Sequence, residues 1–200
     1  MHTLVVLAHP DPSSLTSAVA GQLENALRPS SVEVADLAAE GFDPRFTLAD
    51  RRAYTDGADL PDDVRREQRR LDRATDLVLV FPAFWWSMPA LLKGWVDRVF
   101  VSGWAFDHSP RDPGAGLQPR LQRLTTHLLP VAGADAGAYD RHGYEQALRT
   151  QVEHGIVEYC GSRRGCTAFV HDSEQDDRAA TQRSVDAAVR AIATAVTAGR

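Results

Sequence analysis

Residues 76–106 read DLVLVFPAFWWSMPALLKGWVDRVFVSGWAF, and the fold turns on this stretch. Leu77, Val78, Leu79, Val80 and Phe81 form a short apolar run closed by Pro82, the pattern of a strand buried on both faces of a parallel sheet. Proline has no N–H to give to a ladder, so the strand ends there. From Pro89 the spacing turns helical, with Leu92, Trp95, Val96, Val99 and Phe100 on one repeat, and Pro89 suits the first turn of that helix. The loop between them holds Phe84, Trp85 and Trp86. Bulky aromatics on a short loop at a strand's C-terminal end are costly to leave in water, so something flat and apolar, or a partner chain, covers them. The plainer alternative is that they plug the end of a neighbouring helix, since aromatics are core residues first.

Upstream, Thr3 to Ala8 is a second continuous apolar run, read as a central strand. It leads through His9-Pro10-Asp11-Pro12-Ser13-Ser14-Leu15-Thr16 into helical spacing at Val19, Leu23 and Leu27. Free N–H groups and the positive end of the helix dipole favour an anion there, with Ser13, Ser14 and Thr16 as hydroxyl donors. A serine at that position also serves simply as a helix cap, and the two roles are compatible. Val32 to Asp36 alternates as a second strand, and the charged run from Leu60 to Thr75 predicts a solvated helix in preference to an anion site. Downstream, His108 to Arg120 is rich in proline and glycine and predicts a pocket-shaping surface loop. Leu124 to Val131 is a fourth strand followed by the small residues Ala132 to Gly137, which let backbone approach a ligand. Val152, Ile156, Val157 and Cys160 predict a helix, Gly165 to His171 a fifth strand, and Val185, Val189, Ile192 and Val196 a closing amphipathic helix. Strands alternating with helices imply a doubly wound α/β sheet in one domain spanning residues 1–200.

The net charge of −5, with scattered Lys and Arg, offers no basic field for nucleic acid. No apolar run approaches the ~20 residues that span a bilayer, and the N-terminus lacks a secretion pattern, so a cytoplasmic location is expected. Cys160 and Cys166 match no CxxC pair and read as buried small apolar residues. No metal-ligand spacing stands out.

Pro82 with the aromatic pair, Ser87-Met88-Pro89-Ala90, Leu92-Lys93-Gly94-Trp95 and Asp97-Arg98-Val99-Phe100 together resemble the flavin loop and following helix of the NAD(P)H:quinone oxidoreductases. This family of two-electron reductases includes DT-diaphorase and small bacterial quinone reductases. The His9 to Ser14 segment resembles the loop that holds the flavin phosphates, with His9 beside them; the family commonly has Phe-Asn where this chain has Leu15-Thr16. Tyr139 with Gly143 resembles the family's Gly-rich loop and Tyr-x-x-x-Gly, where the tyrosine borders the flavin ring. The resemblance implies a flavodoxin-like, five-stranded parallel sheet of order 2-1-3-4-5 with helices on both faces. It also implies a flavin, FAD with FMN as the alternative, and NAD(P)H as co-substrate. The implied cofactor-binding residues are His9, Ser14, Leu15, Thr16, Pro82, Ala83, Phe84, Trp85, Trp86, Ala132, Gly133 and Tyr139.

In a doubly wound sheet, ligands bind beyond the carboxyl ends of the strands where the winding reverses, so the loops after strands one, three and four converge independently of the resemblance. One offers phosphate donors, one an aromatic wall and one small residues with a tyrosine. The absence of Gly-x-Gly-x-x-Gly after the first strand argues against a primary dinucleotide pocket of the Rossmann kind. By resemblance, NAD(P)H delivers hydride to the flavin N5 and a quinone then takes its place, a ping-pong cycle. Backbone N–H groups of residues 83–86 are candidates to hydrogen-bond the flavin's ring edge. Tyr139 is the leading catalytic candidate, as a hydrogen-bonding group, and His142 the second. Met88, Trp95 and Phe100 read as helix packing.

The helix from Pro89 to Val101 is apolar around most of its circumference, which predicts a second subunit covering it. The family forms homodimers with flavin sites at the interface. Two other functions fit the resemblance: a flavin-binding regulatory subunit in peripheral contact with a membrane potassium-efflux transporter, and an azo- or nitro-compound reductase. A sheet domain without cofactor is the remaining possibility.

Overall fold

The structure, a computed structural model, describes residues 2–107 and 116–199. The segment His108 to Ala115 of the expected pocket-shaping loop therefore lies outside the described residues. In chain order the elements are β1 (His2–Leu7), α1 (Leu15–Leu27), β2 (Ser31–Asp36), α2 (Leu48–Asp56), α3 (Asp62–Arg73), β3 (Asp76–Pro82) and α4 (Ala90–Val99). A two-residue ladder of β4 (Phe106–Asp107) and β5 (Gln118–Pro119) follows. Then come β6 (Thr125–Val131), α5 (Ala136–His142), α6 (Tyr144–Arg149), a π-helical segment (Thr150–Glu158), β7 (Arg163–Thr167) and α7 (Arg178–Ala198).

The sheet has five parallel strands in the order β2-β1-β3-β6-β7, which is 2-1-3-4-5 when its own strands alone are counted. Every residue of β3 is buried, as a central strand covered on both faces requires. The alternation of side chains divides the core in two: Leu77, Leu79 and Phe81 join Leu4, Val6, Trp95 and Leu128 on one face, while Val78 and Val80 join Val5, Leu23, Leu129 and Ile192 on the other.

Several elements differ from expectation for identifiable reasons. The fifth strand begins earlier, at Arg163, and its pairing with β6 is irregular between Thr126 and Leu128. There the buried His127 ring takes a ladder partner: its Nδ1 accepts from Cys166 N–H at 3.0 Å. Beyond this point the chain rejoins β6 through a bridge from Val170 to Val131. The helix predicted around Val152 is π-helical and continues from α6. On α3 Arg66, Arg69 and Arg73 are exposed, as a solvated helix requires, but Arg70 is largely covered. Arg70 donates to Glu33, Glu40 and Glu67, and these carboxylates hold its pKa above the ordinary arginine value against the opposing effect of burial.

Helix α4 is covered by its own chain. Leu92, Trp95, Val96, Arg98 and Val99 are buried, and only Ala90, Lys93 and Asp97 are exposed. The covering comes from the sheet, from α3 and from the 43–50 segment. Arg98, 4% exposed at its side chain, donates to Asp50 Oδ1 at 3.0 Å, to Asp63 Oδ2 and to the Asp43 carbonyl at 2.7 Å. Gly94 lets this segment close in, because a Cβ there would lie 2.5 Å from Pro44 Cβ. The apolar circumference of α4 is thus satisfied within the chain, and the case for a second subunit based on it falls away.

Candidate functional site

Loops at the carboxyl ends of β1, β3 and β6 meet. After β1, Ser14 caps α1 by accepting from Ser17 N–H at 3.1 Å, which leaves the N–H groups of Leu15 and Thr16 without partners among the described residues. Ser13 is engaged elsewhere: its hydroxyl and N–H both donate to Asp11, and these bonds hold the Asp11 carboxyl below its usual pKa. Ser13 is therefore not the free donor that was expected. Thr16 is buried. His9 directs Nδ1 to the backbone of Asp11, 3.0 Å from its N–H, and its ring sits edge-on to Phe84 with centroids 6.4 Å apart. That contact joins the first loop to the second.

After β3, Pro82 pairs with Val131 as the last residue of the strand. Ala83 N–H donates to the Val131 carbonyl at 2.8 Å and Phe84 N–H to the Pro82 carbonyl at 3.0 Å, so neither is free for a ligand. Trp85 and Trp86 follow with φ of 49° and 65°, in the left-handed region that bulky residues seldom occupy. Their N–H groups have no partner among the described residues. Such conformations cost on the order of 1–3 kcal/mol each and cluster at ligand sites. Trp85 is 91% exposed and Phe84 50%. Trp86 is held by rings, stacked on Tyr144 at 3.9 Å and 9° and edge-on to Tyr139 at 5.7 Å. Ser87 Oγ donates to Gln151 Oε1 at 2.9 Å, tying the loop to the π-helical segment.

After β6, Ala132 is buried and its N–H donates to Val170. Tyr139 lies on α5 instead of in a loop, because Asp135 caps the helix start and Gly143, at φ 68°, ends it. The Tyr139 ring is 2% exposed and packs edge-on against Phe169 and His171. Burial pushes its phenol pKa above the ordinary value, and its hydroxyl has no hydrogen-bond partner among the described residues. His142 is exposed and stacks on Tyr144, away from the cavity.

Beside the loops after β3 and β6 lies a cavity of about 400 Å3, lined by residues 83–86 together with Gly133, Ala134, Tyr139 and Glu174. Among the described residues, no group of three His, Cys, Asp or Glu is placed to hold a metal ion, and no helix is long and apolar enough to cross a membrane.

The architecture agrees with comparisons to known proteins. A family described as having a flavodoxin-like fold matches residues 1–195. The ribosyldihydronicotinamide dehydrogenase [quinone] of Pongo abelii is 31% identical over 180 residues, covering 79% of this chain and 76% of the relative. The chain belongs to the flavodoxin-like NAD(P)H dehydrogenase (quinone) family of oxidoreductases.

Among solved structures, the NAD(P)H:quinone oxidoreductase from Methanothermobacter marburgensis superposes with a TM-score of 0.86, at 24% identity and 96% coverage of both chains. A general stress protein from Treponema denticola, in complex with FMN, superposes with a TM-score of 0.65 at 26% identity, with both chains fully covered. As a quinone-reductase family member, the chain brings Ala83, Phe84, Trp85, Trp86, Gly133 and Tyr139 to one cavity. His9, Ser14, Leu15 and Thr16 form the adjoining turn, and Pro82 and Ala132 lie buried behind the wall. Sequence reasoning missed Ala134 and Glu174. Ala134 was within reach, since it follows Gly133 in the small-residue run; nothing local marks Glu174, which arrives from the turn after β7.

Proposed function

We propose that this chain is a flavin-dependent NAD(P)H:quinone oxidoreductase whose flavin is held between the loops after β1, β3 and β6. The observation that carries this reading is the pair of left-handed tryptophans, Trp85 and Trp86, with unpartnered N–H groups at the wall of the cavity. The donor set fits a flavin in two parts. The free N–H groups of Leu15 and Thr16, at the positive end of α1, suit a phosphate; those of Trp85 and Trp86 suit the carbonyl and nitrogen acceptors of a ring edge. The Asp11 carboxylate, already engaged by the Ser13 hydroxyl and N–H, favours the Leu15 side of that turn for the phosphate. When bound, the flavin supplies a two-electron centre that accepts hydride from NAD(P)H and passes it to a quinone.

This chain's own residues bind, orient and exclude water. Phe84 and Trp85 present apolar rings at the rim, where a planar nicotinamide or quinone can be held. Tyr139 keeps its proton, since burial disfavours the phenolate, and acts as a hydrogen-bond donor from the wall beside Trp86. His142 reaches the cavity only through Tyr144 and Trp86, so its part in the reaction is to steady that stack. Because one cavity serves both donor and acceptor, turnover should follow ping-pong kinetics. The exposed Phe84 and Trp85 also give a second copy of the chain an apolar rim to cover, in a homodimer.

The test is the visible spectrum of the purified protein, before and after NADPH and then after a quinone, with chromatography of the released cofactor. Flavin bands that bleach and recover are expected, and the released species distinguishes FAD from FMN. A colourless protein that takes up neither flavin refutes the proposal.

A further inference from the structure

We infer that Glu174 sets the charge preference of this cavity, disfavouring anionic electron acceptors relative to neutral or cationic ones. The inference rests on the proposed function for the nature of the acceptor. The position of the carboxylate rests on the fold alone. After β7 the chain turns through Asp172, whose φ is 56°, and two backbone bonds pin the turn to the β6 loop: Asp172 N–H to the Ala134 carbonyl at 3.3 Å and Ser173 N–H to the Ala132 carbonyl at 3.0 Å. Glu174 is thereby laid across Gly133. Its Cδ and carboxylate oxygens lie 3.1 to 3.4 Å from where a Gly133 Cβ would stand, so the absence of a side chain at Gly133 makes room for it.

Among the described residues lining the cavity, Glu174 alone carries a formal charge. It makes no hydrogen bond or ion pair among the described residues, whereas the carboxylates of Asp135 and Asp177 are occupied. Asp135 caps α5 through Ala138 N–H at 2.8 Å, and Asp177 caps α7 through Ala180 N–H at 2.9 Å. An exposed carboxylate that caps nothing and pairs with nothing has no structural work of its own. Lining the same cavity are indole and phenyl rings, apolar surface beside which a single charge is felt further than over open polar surface.

The experiment uses flavin-loaded protein and a charge ladder of wild type, Glu174→Gln and Glu174→Lys. Dissociation constants for 1,4-naphthoquinone and for its 2-sulfonate are read from quenching of tryptophan fluorescence, with kcat/KM for both acceptors measured alongside. At low ionic strength the sulfonate should bind about threefold tighter at each step of the ladder, while the uncharged quinone stays constant. The difference should collapse in about 0.5 M salt, where screening cuts off within a few ångströms. A parallel response of the two quinones, or a sulfonate affinity indifferent to the ladder, overturns the inference. Failure to take up flavin would overturn the proposed function and leave the same binding series to be read on the protein as purified. Protein that binds neither quinone overturns both.

Discussion

Replacing Arg98 by methionine tests how the 43–50 segment is held. In the native chain the Arg98 guanidinium donates to Asp50 at 3.0 Å and to the Asp43 carbonyl at 2.7 Å, makes two bonds to Asp63, and lies over the Phe42 ring with 5.2 Å to the centroid. Methionine keeps much of the stem's packing and removes the charge. Asp50, whose side chain is 2% exposed, is left as a buried carboxylate with no cation. Breaking one half of a buried pair costs about 3–5 kcal/mol. In a domain of this size that lowers Tm by on the order of 10 °C. Burial alone would raise the Asp63 pKa, but hydrogen bonds and charge from Arg98 outweigh it and hold it below its ordinary value. A depressed carboxylate stabilises the fold above its unfolded pKa and ceases to do so as pH falls through the folded value. The gap between wild type and Arg98→Met should therefore be widest near neutrality and narrow below about pH 4. Urea titrations from pH 3 to 7 measure it. Asp50→Asn added to Arg98→Met removes the stranded charge and should recover at least about 1 kcal/mol, a non-additive result expected only if the two residues are coupled. A single variant within about 1 kcal/mol of wild type at every pH, or a double variant less stable than the single one, refutes the reasoning.

Gly94→Ala drives a methyl group into the Pro44 backbone, with Pro44 C only 2.7 Å away, so it should destabilise by about 1–3 kcal/mol in a thermal melt; an unchanged Tm would show that the 43–50 segment is free to move. Trp85→Gly relieves the strain of a φ of 49° and should hold stability to within about 1 kcal/mol while weakening flavin binding in a fluorescence titration; lost stability with unchanged flavin affinity would make Trp85 structural. Tyr139→Phe should change stability by less than about 1 kcal/mol, because its hydroxyl has no protein partner, and lower kcat about tenfold. Since burial holds the Tyr139 proton above its ordinary pKa, the wild-type kcat should show no tyrosine ionisation up to pH ~10; a rise or fall assigned to Tyr139 below that would count against the donor role.

The sheet was readable because a strand buried on both faces has no alternative to a continuous apolar run, as in Leu77 to Phe81 and Thr3 to Ala8. The meeting of the loops after β1, β3 and β6 was readable for the same reason, since strand order alone brings them to one edge. Helix α2 was not. Its sole buried residue is Asp50, so no apolar stripe marks it, and the local signals are a capping box of Thr47 with Asp50 and a left-handed Gly57 at its end. The expectation that α4 needs a second subunit failed because apolar periodicity reports that a face is buried and says nothing of what buries it. The cover came from Pro44, Asp50 and Asp63, joined to α4 by contacts across many residues of chain. Glu174 is the limiting case. Backbone N–H groups of Asp172 and Ser173 bring it to the cavity, and a backbone bond can be made by almost any residue, so it leaves no mark in the amino-acid pattern. The aromatic wall follows from element order, whereas the charge in the same cavity depends on a turn visible only in the folded chain.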